Sequence, residues 1–204
     1  VSQATARPGR RTQAERRAAT EQRVLDAAVA LTAERGVRAV TLATVGEKAG
    51  YSRGIVTHHF GSRRALLDAL VGRLQDAFRP PAAAAGTGLD RLLALVDAYL
   101  VHLDAEPEIA RAFLVLWVES LAAEPELRPV FADRDKRFRS AIVDAVRAGT
   151  ADGSITADAG AEALALAIVG LLRGVGMQML HGPVGPDVGE IRQQVRRLLG
   201  KGLR

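Results

Sequence analysis

TLATVGEKAGYSRGIVTHHFGSRRALL, residues 41–67, holds three helix starts in close succession. Thr41 is a cap for LATVGEKAG, which runs to Gly50. Ser52 caps RGIVTHHF, and Gly61-Ser62 restarts the chain into RRALLDALVGRLQDAF. A Thr or Ser oxygen accepts a backbone N–H that the first helical turn leaves unpaired, and a glycine takes the left-handed turn that ends a helix. Val45, Ala49, Tyr51, Val56 and Phe60 are spaced to pack inward across the two short helices, which is helix-turn-helix geometry. That packing leaves Arg53, Gly54, Ile55, Thr57 and His58 outward, where small and polar side chains can approach base edges in a major groove. A short helix pair of this kind also serves as a purely structural hairpin, so spacing alone leaves both readings open. His58 and His59 lie about 100° apart around a helix axis and cannot share one metal ion.

Upstream, Thr12 and Glu15 match a capping box, and Val24, Ala28 and Leu31 recur at helical spacing until Gly36. Residues 1–12 are expected to form a flexible basic arm and residues 13–80 the helix-turn-helix domain. RPPAAAAGTG (79–88) reads as a connector to a second domain over 81–204. Five further helical stretches, separated by Pro and Gly, fill that part. Residues 1–80 carry 14 Lys/Arg against 7 Asp/Glu, whereas residues 81–204 carry 14 against 16. A basic excess confined to the first part suits a polyanion-binding module joined to a part with another task. The hydrophobic share of 48% supplies a core, and the aromatic share of 4% favours helices over sheet. The expected fold is all-α.

Several functions are excluded by what is missing. There is no cysteine, hence no disulfide, thiolate metal site or cysteine nucleophile. No metal-binding His spacing, phosphate-cradling Gly loop or serine elbow occurs, so neither an enzyme nor a metal or other cofactor is expected. The first residues carry arginines rather than an apolar secretory segment. The longest apolar run, ALALAIVGLL (163–172), is about half of the ~20 residues a membrane span requires. A cytoplasmic protein without membrane contact is the expectation.

The segment 41–67 resembles the signature of the TetR family, which runs Thr, an apolar-Ala pair, Ala-Gly-Val-Ser, a Gly, then Tyr-x-His-Phe and a Lys before a Leu-rich helix. The resemblance implies a one-component transcriptional regulator that binds double-stranded operator DNA as a homodimer. It also implies a C-terminal domain for dimerisation and for a small-molecule effector of unknown identity. Carried over by position, Thr41 and Ser52 are caps that also meet phosphates, and Arg53, Gly54, Ile55 and His58 read bases. His59 approaches the DNA backbone, and Arg63 stands where the family has a phosphate-binding lysine. Gly46 replaces an Ala, Tyr51 a Val and Thr57 a Tyr.

In the second half, Ala163, Ala167, Gly170 and Gly174 form a stripe of small residues that lets another helix come close. With Ile191, Val195 and Leu198 of the last helix they resemble the family's four-helix dimer interface; packing within one chain is the alternative. Tyr99, His102, Phe113, Trp117 and Leu121 are candidates to line an apolar effector pocket, with Glu119 as a polar anchor, or are simply core. LVLWVESLAAEPELRPVFADRDKRF (114–138) looks like the C-terminal domain of the BetI-like subgroup of choline and betaine regulators. A quaternary ammonium cage needs several aromatics around one point, and the aromatics here are spread along the sequence. The expectation is a repressor on a palindromic operator, released by its effector. A transcriptional activator, or a helical nucleic-acid-binding protein without ligand control, stays open.

Overall fold

The computed structural model describes residues 12–78, 86–156, 160–182 and 185–204, and every regular element among them is helical. Apart from Thr12, the expected arm lies outside the described residues, as does most of the connector. Helix α1 (Gln13–Arg35) starts at the expected capping box: Thr12 Oγ1 accepts from Glu15 N at 3.2 Å, and Thr12 N donates to Glu15 Oε2 at 2.7 Å. A 3-10 turn, Val37–Ala39, leads to α2 (Leu42–Ala49), α3 (Arg53–Phe60) and α4 (Arg63–Ala77). Thr41, Ser52 and Ser62 cap these three as their sequence implies. Val45 and Val56 are fully buried, and Ala49, Tyr51 and Phe60 pack against them half-buried. Gly50, left-handed at φ 75°, turns the chain between α2 and α3.

The second part consists of α5 (Gly88–Ala105), α6 (Pro107–Glu119), α7 (Arg128–Asp152), α8 (Ala161–His181) and α9 (Val188–Gly202). Helix α5 packs on α7 and α9, and α7 on α8. The two parts are not separated at residue 80 by any gap in packing: α1 and α4 both lie against α6, and one buried apolar cluster runs through both. The small stripe of α8, with Ala163, Ala167, Gly170 and Gly174, is exposed among the described residues, and Leu166 beside it is 61% exposed. On α9 the expected stripe divides. Val195 is buried within the chain and Ile191 partly so, because α9 docks on α5, where Arg192 grips Asp97 in a bidentate pair at 2.8 and 2.5 Å. Leu198 stays 61% exposed.

By length and composition α8 is apolar enough to cross a membrane, more than its uninterrupted run 163–172 suggests. Core helices pass the same test, and α8 packs on α5, α6 and α7 and carries a buried, ion-paired Arg173.

The tightest helix contact joins the first turn of α5 to the last turns of α7. A Cβ on Gly88 would stand 1.9 Å from Gly149 N, so the two backbones touch. The free N–H groups of α5 are taken up there: Gly88 N donates to Asp152 Oδ2 at 2.7 Å and Leu89 N to Ser154 Oγ at 3.1 Å. Gly88→Ala must push α5 off α7, since backbone atoms cannot rotate away as a side chain does. Overpacking of this kind costs about 2 kcal/mol or more. Differential scanning calorimetry of the variant is expected to show a midpoint lower by roughly 5 °C or more.

Candidate functional site

The exposed face of α3 is built by its caps and by Gly46. Thr41 Oγ1 accepts from Thr44 N at 3.1 Å, and Ser52 Oγ accepts from Ile55 N at 3.4 Å, which sets the first turn of each short helix. A Cβ at Gly46 would lie 2.9 Å from Tyr51 O and 3.2 Å from Val56 Cγ2. The Gly that costs α2 up to about 1 kcal/mol of helix propensity therefore lets the turn and α3 sit closer to α2. The Tyr51 hydroxyl is held by Thr20 and Arg23 of α1, contacts that bring its pKa below the usual tyrosine value. Arg53, Gly54, Ile55, Thr57 and His58 all face outward and are exposed. The Thr57 hydroxyl donates to Arg53 O at 2.9 Å.

Two residues assigned to phosphate contact stand elsewhere. His59 turns toward α1 with its side chain only 12% exposed, Nδ1 lying 3.6 Å from Glu21 Oε1. Glu21 also receives Arg17 Nε at 3.0 Å, and Arg17 first, then His59, hold its carboxyl below the usual range against the opposing effect of burial. The reason is rotation: one residue past His58, the helix carries His59 off the open face and onto α1. Arg63 is committed to the protein. Its Nε donates to Val40 O at 2.9 Å, its Nη2 to Val37 O at 3.1 Å and to Glu124 Oε1 at 2.7 Å, and its Nη1 to Glu124 Oε2 at 3.4 Å. Glu124 is buried in the connection from α6 to α7, so this guanidinium ties the helix-turn-helix part to the C-terminal part. Arg64, 47% exposed beside it, is paired with Asp68.

A cavity of about 310 Å³ lies among the helices of the second part and α4. Gln75 and Phe78 close it from the α4 side, Tyr99 from α5, Phe113 from α6, Arg134, Asp135, Arg137 and Phe138 from α7, and Arg173 from α8. Phe78, Tyr99 and Phe138 stack within 5.7–5.9 Å of one another. The Arg134 guanidinium lies 4.4 Å over the Phe113 ring, and that of Arg173 lies 4.2 Å over Trp117. Asp135 binds both Arg173, through Oδ1, and Trp117 Nε1, through Oδ2 at 3.0 Å.

Of the residues expected here, Tyr99 and Phe113 are wall, and Trp117 supports Arg173 and Asp135 from behind. His102 packs on Phe78 at 5.2 Å. Glu119 and Leu121 are not brought in. Leu121 is 54% exposed past the end of α6, and Glu119 faces the turn after α1, where its Oε1 would be 3.0 Å from a Cβ on Gly36. Glu119 also borders a wider, open groove of about 710 Å³ between α6 and α8. The charged residues of the cavity were missed, although Arg173 interrupting an otherwise apolar helix signals a buried charge in need of a partner. Among the described residues no group of three His, Cys, Asp or Glu side chains comes together to hold a metal ion.

An exposed short helix seated on a helix-turn-helix, coupled by α4 to a cavity-bearing helical bundle, defines a DNA-binding regulator. Comparison with known proteins agrees in both halves. Residues 24–70 match the model for bacterial regulatory proteins of the tetR family, and residues 88–204 that for the C-terminal part of BetI-type transcriptional repressors. The HTH-type transcriptional regulator BetI of Rhizobium meliloti is 31% identical over 129 residues, 61% of this chain and 63% of that one. The HTH-type transcriptional repressor KstR2 of Rhodococcus jostii is 33% identical over 139 residues, 66% and 67% of the two chains. A transcriptional regulator of Saccharomonospora viridis, solved in complex with choline, superposes with a TM-score of 0.77 at 26% identity, covering 91% of this chain and 98% of that one. The chain belongs to the TetR family of transcriptional regulators, with a C-terminal part of the BetI type.

Arg63 holds the Glu124 carboxyl below the usual range, with burial opposing. A depressed carboxylate contributes stability that is present above the unfolded value of 4.5 and is lost as pH falls through the folded value. Glu124→Gln is therefore expected to melt below wild type at pH 7, by about 1 kcal/mol. Melts repeated down the pH scale should show the difference shrinking below pH 4.5. His102 is pushed below its usual 6.5, first by burial and then by Arg134, with Glu106 opposing. Because the unfolded chain then binds the proton more tightly, stability falls as pH drops below 6.5. His102→Gln should flatten the dependence of melting midpoint on pH in that window.

Proposed function

We propose that the chain is a homodimeric repressor whose hold on a palindromic operator is released by a small molecule entering the α4–α8 cavity. The observation that carries this reading is the position of α4. Its last residues, with Phe78 just beyond, line the cavity, and its first, Ser62 and Arg63, follow directly on α3. Fifteen residues of helix at 1.5 Å each make a rod of roughly 22 Å between the two. A ligand that displaces Phe78 or Gln75 thus moves α3. Arg53, Gly54, Ile55, Thr57 and His58 read base edges, Ile55 offering apolar contact to a thymine methyl. The exposed hydroxyl of Ser52 and the half-buried one of Thr41, with Arg64, serve the phosphates.

The uncovered apolar faces support the dimer. Leu166 and Met177 flank the small stripe of α8, and Leu198 stands out from α9; a second copy meeting these helices buries all three. Two α3 helices about 34 Å apart then match successive major grooves. The working compartment is the cytoplasm, where the DNA is.

The test is a footprint on the DNA flanking the gene, with affinity measured by fluorescence anisotropy on the protected fragment. One or a few discrete sites are expected. The double variant Arg53→Ala, His58→Ala should lose about 1–3 kcal/mol per base contact while keeping the salt dependence of wild type. Broad protection, or full affinity in the double variant, overturns the base-reading assignment. Higher transcription from the site with protein bound marks an activator.

A further inference from the structure

We infer that the cavity takes an organic anion, a carboxylate on an aromatic or aliphatic body, and rejects quaternary ammonium compounds. This rests on the reading of the cavity as the effector site.

Charge and hydrogen bonding both point this way. Arg134 and Arg173 line the cavity with one carboxylate between them, and both oxygens of Asp135 are already used by Arg173 and Trp117. Arg137 at the rim is answered outside the cavity by Asp133 at 2.6 Å. Among the described residues Arg134 has no carboxylate partner: it lies over the Phe113 ring, with Nη1 3.5 Å from Leu74 O. The interior therefore holds one positive charge more than it answers. Burial, and then the like charge of Arg173, bring the pKa of Arg134 down to about 10, the effect a neighbouring anion reverses.

Three further atoms call for an acceptor. Among the described residues Arg173 Nη1, Gln75 Nε2 and the Tyr99 hydroxyl are buried without a hydrogen-bond partner, and all three belong to residues lining this cavity. A guanidinium or amide nitrogen can only donate, and leaving such groups unmet in a buried site is costly. A carboxylate, which only accepts, suits all three donors; a quaternary ammonium, with neither an N–H nor a lone pair, suits none. Two of the rings that could help to cage a cation are in use as well. The Phe113 and Trp117 faces already carry the protein's own guanidiniums at 4.4 and 4.2 Å, so choline would have to displace them and then meet their repulsion. What the faces leave free is apolar surface from Phe78, Tyr99 and Phe138, which fits the body of the anion. At about 310 Å³ the space stands at the small end of the roughly 300–1,000 Å³ usual for ligand pockets, which favours a compact monocarboxylate.

The test uses the full-length protein at pH 7.5 and constant ionic strength. The probes are sodium phenylacetate, hexanoate and decanoate, their neutral amides, and choline. Melting shifts and quenching of Trp117, the chain's one tryptophan, report binding. At least one carboxylate should bind, its amide at least about tenfold more weakly, and choline should do neither. Among the described residues Arg134→Gln removes a charge with no ion pair to break, and Tyr99→Phe removes only an unpartnered hydroxyl, so both are expected to fold. The first should erase the preference for acid over amide, and the second should weaken the acid alone. Choline binding more tightly than every carboxylate, amides equalling acids, or a panel in which no carboxylate binds overturns the proposal. Operator release, read in parallel by anisotropy, separates the two readings. A carboxylate that binds without releasing DNA overturns effector control and leaves the anion site standing. Choline that binds and releases DNA does the reverse.

Discussion

The guanidinium of Arg63 bridges the backbone of the turn after α1 and the carboxylate of Glu124, and the geometry of the DNA-facing half relative to the helical bundle depends on that bridge. Its planar fork can meet two carbonyls and a carboxylate at once, which a lysine ammonium on a flexible stem cannot do with the same direction. The exchange has a consequence for DNA contact. A cation spent on the junction is not available to a phosphate. The same side chain places the first turn of α4 against the bundle, and α4 cannot tilt without straining these bonds.

The far end of α4 meets a different constraint. Two buried guanidiniums are costly to remove from water, and one carboxylate offsets only part of that cost. Stacking on Phe113 and Trp117 recovers some of it, because an aromatic face attracts a cation and guanidinium is weakly hydrated. The remainder stays as an unanswered positive field lined by Gln75 and Phe78 of α4. The helix that positions α3 is thus clamped at one end and borders an electrostatically unsatisfied space at the other, an arrangement suited to a helix that responds to what fills that space.

Relatedness describes the fold around this cavity more directly than its ligand. The C-terminal part matches the BetI type over residues 88–204, and a structural relative was solved with choline. Helix order and packing are carried by many apolar positions that tolerate exchange as long as volume and pattern persist. Ligand choice depends on the handful of side chains that line the pocket. Similarity of this degree therefore carries the fold and leaves the pocket to be read from its own residues.

Almost all of the secondary structure was legible in the sequence, because caps and stops are local. Thr12 with Glu15, Thr41, Ser52, Ser62 and the glycines that follow each helix act on backbone groups within a few residues of themselves. The outward residues of α3 were legible too, since helical periodicity separates Val56 from Arg53, Ile55 and His58. Tyr99 and Phe113, expected to line one pocket, do border one cavity, while Glu119 and Leu121, expected with them from helical spacing, lie away from it because α6 ends at Glu119. What the tertiary structure alone decided is every pairing over a long sequence distance: Arg63 with Glu124, Arg173 with Asp135, Val195 against α5, and the meeting of Gln75 and Phe78 with Arg134. Such pairs depend on how helices cross, and crossing is set by backbone approaches such as Gly88 on Gly149. No spacing within a single helix records which of its charged residues will find a partner, or which will be buried without one.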